Sequence, residues 1–342
     1  MSAPHPDLLT TQAEGAIAVR FVGAEGVIDP TIRSWAEVNG FKGKPGQILV
    51  APDADGGIAA VLVGVGETFD PMSARALPAK LPPGLYRLEA EPEDAGKAAL
   101  AFLLGAYVFD RYKAKPDRDR VRLVVPEGMD VDTARRIASA CALAREMIDT
   151  PAADMGPLQL ETIAREIASA SGATATVVTG DALLEENYPA VHAVGRAAAP
   201  HRAPRVIEIG WNLDRTELPL VALVGKGVVF DSGGLDIKAA AGMRNMKKDM
   251  GGAAHALALA VLVARERLPV RLHLLIPAVE NAVSAEALRP GDIVASRKGL
   301  HVEIDNTDAE GRLILADALA KAAEGEPELI LDFATLTGAA RI

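Results

Sequence analysis

The feature that most constrains this chain is a set of nearly uninterrupted apolar runs in its second half. Leu218–Phe230 reads LPLVALVGKGVVF and Val270–Val279 reads VRLHLLIPAV; Ala173–Val178, Arg205–Gly210 and Leu329–Thr335 are strand-like as well. Strands that are apolar on successive positions are buried on both faces, as in a sheet covered by helices. Helical patterns at Leu158–Ser171, Met250–Arg267 and Arg312–Glu324 alternate with them, and His301–Asn306 reads as a further strand. The expectation is a large α/β domain over residues 151–342, a mixed central sheet covered by helices.

The first third repeats the rhythm on a smaller scale. Ala16–Val22, Gln47–Ala51, Ile58–Gly66, Gly84–Leu88 and Arg120–Val125 read as strands, and Pro92–Tyr112 as a helix. A small N-terminal α/β domain over residues 1–130 is expected. Val131–Ile148 is a long helical pattern with Val131, Ala134, Ala138, Cys141 and Ile148 in one stripe. Thr150-Pro151 ends it, because the residue before proline is pushed out of the helical region. Residues 131–150 are therefore expected to form a helix connecting the two domains.

Charge and cysteine content exclude several classes. Thirty-six basic against 46 acidic residues give a net charge of −10, which argues against general nucleic-acid binding. No apolar run is long enough for a membrane helix, and MSAPHPDLLTTQ lacks the form of a secretory leader, so a cytoplasmic protein is the expectation. With Cys141 alone, an intrachain disulfide or a cysteine-cluster zinc site is impossible. The HExxH, GxSxG and Walker patterns are absent, and the six histidines are scattered.

What remains is charge gathered around glycines. VGKGVVFDSGGLDIK (224–238) carries Lys226, Asp231 and Lys238 off the end of an apolar strand, where α/β enzymes place their sites. NMKKDMGGAA (245–254) puts Asp249 just before a helix, and NTDAEGRL (306–313) puts Asp308, Glu310 and Arg312 two residues apart. In an extended segment that spacing turns all three to one side. Singly, each has a plainer role: Asp249 as a helix cap, Asp308 as a turn former, Lys226 and Lys238 as solvated charges. Together, four carboxylates without clustered His or Cys suit divalent ions such as Mg2+, Mn2+ or Zn2+. Two such ions carry +4, which matches Asp231, Asp249, Asp308 and Glu310. A lysine among them could ligate only as the neutral amine, a form that burial and nearby cations favour.

In this order the segments resemble the leucyl aminopeptidase (cytosol aminopeptidase) family of di-metal exopeptidases. NTDAEGRL matches its most specific signature, and AREMIDTPAADM (144–155), ENA…RPGDI (280–293) and LDFATLTGA (331–339) are also similar. The resemblance implies hydrolysis of the N-terminal residue, preferably leucine or another apolar residue, from peptides with a free N-terminus by a two-metal activated water. It implies that Lys226, Asp231, Asp249 and Glu310 hold one Zn2+ or Mn2+ ion, and Asp231, Asp308 and Glu310 the other. Lys238 and Arg312 become the catalytic pair, Lys238 stabilising the oxyanion and Arg312 holding a bicarbonate. Met246, Thr335, Leu336 and Gly338 match positions lining the pocket for the first residue. A homo-hexamer is implied as the assembly. Family chains continue beyond LDFATLTGA, so a chain ending at Ile342 is expected to lack part of the sheet and pocket wall. The alternatives are an impaired family member acting as a binding or assembly module, and a two-metal phosphoesterase.

Overall fold

The computed structural model describes residues 8–24, 26, 28–113 and 120–341; the first seven residues, part of the stretch read for a leader, lie outside them. The chain forms two compact units, Met1–Ala142 and Leu143–Ile342, dividing inside one long helix. Both are mixed α/β layers, the class expected. Among the described residues no helix is long and apolar enough to cross a membrane.

The first unit contains β1 (Leu9–Thr10), β2 (Ile17–Gly23), α1 (Pro30–Val38), β3 (Ile48–Pro52), β4 (Ile58–Gly66), α2 (Leu77–Lys80), β5 (Gly84–Glu89), α3 (Pro92–Gly105), β6 (Val121–Val124) and the start of α4 (Val131–Asp149). Its sheet runs β1-β6-β5-β2-β4-β3, parallel except for β3 against β4. Val19, Val61, Tyr86 and Leu123 from the sheet pack with Ala98 and Phe102 of α3 and Ala134 and Ala138 of α4. Helix α3 stops at Gly105, short of the expected Tyr112, because glycine is a weak helix former that favours a stop. Helix α1 was not expected. Its signal is Asp29-Pro30: the aspartate accepts from Thr31 N and the proline suits the first turn. Helix α4 buries more than one stripe, since Ala140, Ala142 and Ala144 are also enclosed while Cys141 is half-buried.

The second unit continues with α5 (Pro157–Ser171), β7 (Thr174–Thr179), α6 (Ala182–Glu185), α7 (Pro189–Gly195), β8 (Arg205–Trp211), β9 (Leu220–Gly225), β10 (Gly227–Asp231), α8 (Ala240–Met243), α9 (Gly251–Arg265), β11 (Arg271–Asn281), β12 (Ile293–Ala295), β13 (His301–Glu303), α10 (Glu310–Ala323) and β14 (Leu329–Phe333). The sheet order is β14-β9-β11-β8-β7, with β10 also on β11. Strands β14, β9, β10 and β11 are mutually parallel where they pair, and β8 and β7 run antiparallel. Two expectations change here. The run Leu218–Phe230 is two strands, broken at Lys226, whose N–H donates to Phe333 O and whose carbonyl accepts from Ala253 N. The segment after β13 is not extended: Thr307–Ala309 is a 3-10 turn and Glu310 opens α10. The Thr307…Glu310 spacing, typical of a helix start, is the signal for that.

One buried contact gives a pH-dependent prediction. On β8, Glu208 accepts from Tyr188 Oη at 2.7 Å, and its other oxygen lies 2.9 Å from His273 Nε2 on β11. Burial works to raise the Glu208 pKa, but the His273 and Tyr188 bonds prevail and hold it below the ordinary value of 4.5. A folded pKa below the unfolded one gives stability that is full above the unfolded pKa and lost as pH falls through the folded one. From about pH 5 to pH 3 the urea midpoint of the wild type should fall more steeply than that of Glu208→Gln. Parallel curves would count against the contact.

Candidate active site

The parallel strands β10, β11 and β14 point their carboxyl ends to the same end of the second sheet, the usual place for a site in an α/β fold. Asp231 closes β10, Asp249 lies in the 3-10 turn Met246–Met250 that leads into α9, and Asp308 and Glu310 occupy the turn into α10. Oxygens of Asp231, Asp308 and Glu310 lie within 4.8 Å of one another. Asp249 joins through a lysine. Lys226 Nζ is 2.7 Å from Asp249 Oδ2 and 3.0 Å from Glu310 Oε1. Lys238 Nζ is 2.9 Å from Asp231 Oδ2 and also pairs with Asp308 Oδ1.

The plainer roles do not describe these residues. Asp249 caps no helix, because Met250 holds the cap position of α9 and makes no side-chain bond there. The turn at Asp308 is closed by Asn306, whose Oδ1 accepts from Asp308 N at 2.8 Å. Lys226 is enclosed, its side chain 3% exposed. Room for it depends on Gly311, where a Cβ would stand 2.6 Å from Lys226 Nζ. Any larger residue at 311 would push the ammonium out of the cluster.

The electrostatics are those of crowded, partly dry carboxylates. Burial pushes the Glu310 carboxyl up to about 7, with the Asp231 and Asp249 charges adding to it against the pull of Lys226. Burial likewise raises Asp308 against the pull of Lys238. Both lysines move upward: burial works to lower them, but their carboxylate partners outweigh it. The carboxylates around Lys226 thus favour its ammonium form, and the neutral amine expected of a ligand needs a cation to take over those partners. Asp249 Oδ2, Asp308 Oδ1 and Glu310 Oε2 are cut off from solvent without a well-directed hydrogen bond, although the first two touch an ammonium. Orphaned buried carboxylate oxygens in an all-oxygen set with one amine fit a divalent cation, which would satisfy them. The cluster is closed at Lys226 and opens at Asp308, whose side chain is 31% exposed.

The remaining expected residues divide. Thr335 belongs to the cluster: its hydroxyl donates to Asp249 Oδ1 at 2.7 Å and its carbonyl accepts from Lys226 at 3.4 Å. Arg312 lies in the first turn of α10, exposed, with no hydrogen bond or ion pair among the described residues. Two residues on a helix are about 200° apart, so the extended spacing argument does not place Arg312 with Glu310. Met246 is half-buried, Leu336 is 48% exposed, and a Cβ at Gly338 would meet open space. None of these three is tied to the carboxylates by a hydrogen bond. Asn281, at the end of β11, was not singled out from sequence. It is buried and donates to Asp231 Oδ1 at 2.8 Å.

Comparison with known proteins gives the family. Residues 142–342 match the cytosol aminopeptidase family catalytic domain, and residues 25–126 the M17 aminopeptidase N-terminal domain. Two curated relatives carry the name "Probable cytosol aminopeptidase". That of Rhodococcus opacus (strain B4) is 43% identical over 260 residues, covering 72% of this chain and 51% of the relative. That of Rhodococcus erythropolis is 37% identical over 339 residues, covering 92% and 66%. This chain thus spans between half and two thirds of their length. Among solved structures, the cytosol aminopeptidase of Coxiella burnetii superposes with a TM-score of 0.85 at 40% identity, covering 98% of this chain and 74% of that one. The bottromycin maturation enzyme BotP, solved in complex with Mn, gives 0.81 at 32% identity, covering 95% and 73%. The fold, the matched catalytic domain and these relatives together establish that the chain belongs to the cytosol aminopeptidase family.

Proposed function

We propose that this chain is a metal-dependent aminopeptidase that removes the N-terminal residue, preferably leucine or another apolar residue, from peptides with a free α-amino group. The observation that carries it is the convergence of the Asp231, Asp308 and Glu310 carboxylates, with Asp249 joined to Glu310 through Lys226 and Glu310 Oε2 buried without a partner. Lys226, Asp231, Asp249 and Glu310 would hold one Zn2+ or Mn2+ ion, and Asp231, Asp308 and Glu310 the other. Bound there, the two ions would supply the positive charge that activates water and polarises a carbonyl.

The chain's own residues do the rest. Lys238 stands at the open side with its ammonium between Asp231 and Asp308, placed to meet an oxyanion as charge develops on the scissile carbonyl. The substrate's free α-amino group would be taken by Asp249 together with the ion beside it, which selects for a free N-terminus. Arg312 is exposed and makes no hydrogen bond or ion pair among the described residues, so its guanidinium is available to hold a bicarbonate that accepts the proton. Met246, Leu336 and Gly338 border the first-residue pocket, and Thr335 orders Asp249 from the same loop. A cytoplasmic homo-oligomer, hexameric as the family resemblance implies, belongs to the same proposal, with the 1–130 domain contributing to assembly. Exposed Ile293 and Leu300 around the β12–β13 ribbon support an interface.

The test is hydrolysis of leucine anilide with added Mn2+ or Zn2+, beside N-acetyl-leucine anilide and a phosphate monoester. Turnover of the free-amine substrate alone, abolished by chelator, is expected. Equal turnover of the acetylated substrate would remove the exopeptidase assignment, and turnover of the ester alone would replace it with phosphoesterase chemistry.

A further inference from the structure

Asn281 sits where three pieces of the site meet. It is the last residue of β11 and stands opposite Asp231 of β10 in the parallel ladder. Its Nδ2 donates twice, to Asp231 Oδ1 at 2.8 Å and to the Thr307 carbonyl at 3.1 Å. Its backbone carbonyl accepts from Ser232 N at 3.1 Å and Ser232 Oγ at 2.7 Å. One residue thus ties the Asp231 strand end, the loop that follows it, and the turn carrying Asp308 and Glu310.

The amide orientation follows from its partners. A carboxylate and a carbonyl both accept, so the nitrogen must face them and the oxygen must turn away. Oδ1 then lies toward Gly234, where a Cβ would come within 3.0 Å of it and of Thr307 Oγ1. Gly234 has φ +66°, so a side chain there is excluded both by space and by backbone conformation. The loop closes over the amide and leaves it one position. A second tie reinforces the first: Asp236 Oδ2 accepts from Thr307 N at 2.7 Å, and Thr307 Oγ1 donates to Gly233 O at 2.6 Å. These bonds hold the strand end and the turn together in addition to the Lys238 bridge between Asp231 and Asp308.

Ordinary packing does not require this arrangement. A parallel strand pair ends with an apolar residue at least cost, whereas a buried amide must find partners for its polar atoms. Both donors of Asn281 are used on groups that define the carboxylate cluster. Asn281 Nδ2 at 2.8 Å and Gly233 N at 2.9 Å both donate to Asp231 Oδ1 and together fix that carboxylate's rotation, leaving its Oδ2 facing Lys238. Donation to Thr307 O sets the turn immediately before Asp308.

We infer that Asn281 is a positioning residue for the metal centre: its amide locks Asp231 and the Thr307–Glu310 turn at the separation that lets their carboxylates converge on a cation. The inference rests on the proposed metal centre and concerns how the chain preorganises it. Partners that orient ligands in this way change metal affinity by about 10- to 100-fold when removed.

The test uses two substitutions in the 342-residue chain. Asn281→Asp keeps the shape but turns two donors into acceptors facing acceptors. Asn281→Ala removes the amide without repulsion, and remains usable if the aspartate variant does not fold. Mn2+ affinity is measured by calorimetry, thermal unfolding is followed in chelator, and kcat and KM are measured at saturating Mn2+. Expected for Asn281→Ala is Mn2+ binding weakened by about 10- to 100-fold, with kcat reduced more than KM is changed. A merely structural asparagine would lower the unfolding temperature and leave Mn2+ affinity, per folded molecule, within about threefold of wild type; that result overturns the inference. Failure of the wild type itself to bind Mn2+ would overturn the metal centre beneath it, so the two failures are distinguishable.

Discussion

Lys238→Ala should keep its metal ions and lose about 100- to 1,000-fold in kcat, the cost of removing one oxyanion donor. Lys226→Ala should instead weaken metal binding, with activity falling because the ions are lost. The two lysines look alike in composition and each bridges two carboxylates, yet their surroundings separate them. Lys226 is enclosed, fits against Gly311, and links Asp249 to Glu310 on the closed side of the cluster. An ammonium cannot remain charged there beside a bound cation, because burial and like charge both favour the neutral amine. Lys238 is 16% exposed and faces the open side through Asp308, where a charged group can meet substrate. The measurements are Mn2+ titration by calorimetry and steady-state kinetics at saturating Mn2+. In chelator both variants should unfold more readily than wild type, since each removes a cation between acidic groups that then repel. Metal loss in Lys238→Ala with a catalytic defect alone in Lys226→Ala would show that the roles are reversed.

Much of the fold was legible because burial on two faces leaves a direct trace in sequence. Strand β9 is apolar throughout and the centre of β11 nearly so, which marks both as strands covered on two faces. The break at Lys226 was not legible, because a single polar residue between two glycines reads equally as part of one strand. Only the bonds to Phe333 O and Ala253 N show why the chain kinks there. The carboxylates were found through their motif spacing, but the geometry attached to NTDAEGRL was that of a strand. The actual helix start keeps Asp308 and Glu310 together and leaves Arg312 exposed. Asn281 left no trace of its role. Its partners lie 50 and 26 residues away, and one amide at the end of an apolar strand has no spacing to betray it.

Asp317 shows the same limit in the framework around the site, and its substitution by alanine should produce the largest loss of stability. The residue lies on α10 with no exposed surface, within the buried face formed by Leu313, Ile314 and Ala318. That spacing marks position 317 as inward-facing, although an aspartate in a helix ordinarily reads as a solvated charge. Its Oδ2 accepts from Ala190 N at 2.8 Å and Val191 N at 3.2 Å, and its Oδ1 from Arg297 N at 2.7 Å. The first two are orphan donors in the first turn of α7, where Tyr188 at the cap position makes no side-chain bond. Asp317 therefore caps a helix more than a hundred residues away while holding the loop that precedes β13. Burial raises its pKa against the pull of those three N–H groups, so the carboxylate is costly to enclose and still more costly to delete. Alanine would leave two buried donors and one half-buried donor without an acceptor. A loss of about 2–5 kcal/mol is expected, since each buried donor left without an acceptor costs about 1–3 kcal/mol. Asparagine should be intermediate, since its carbonyl can serve one donor but its NH2 must face another. Urea unfolding of wild type, Asp317→Asn and Asp317→Ala, in chelator to remove any metal contribution, gives the comparison. A loss under about 1 kcal/mol in the alanine variant, as for an ordinary surface position, would mean that water replaces the carboxylate and that the α7 cap does not depend on Asp317.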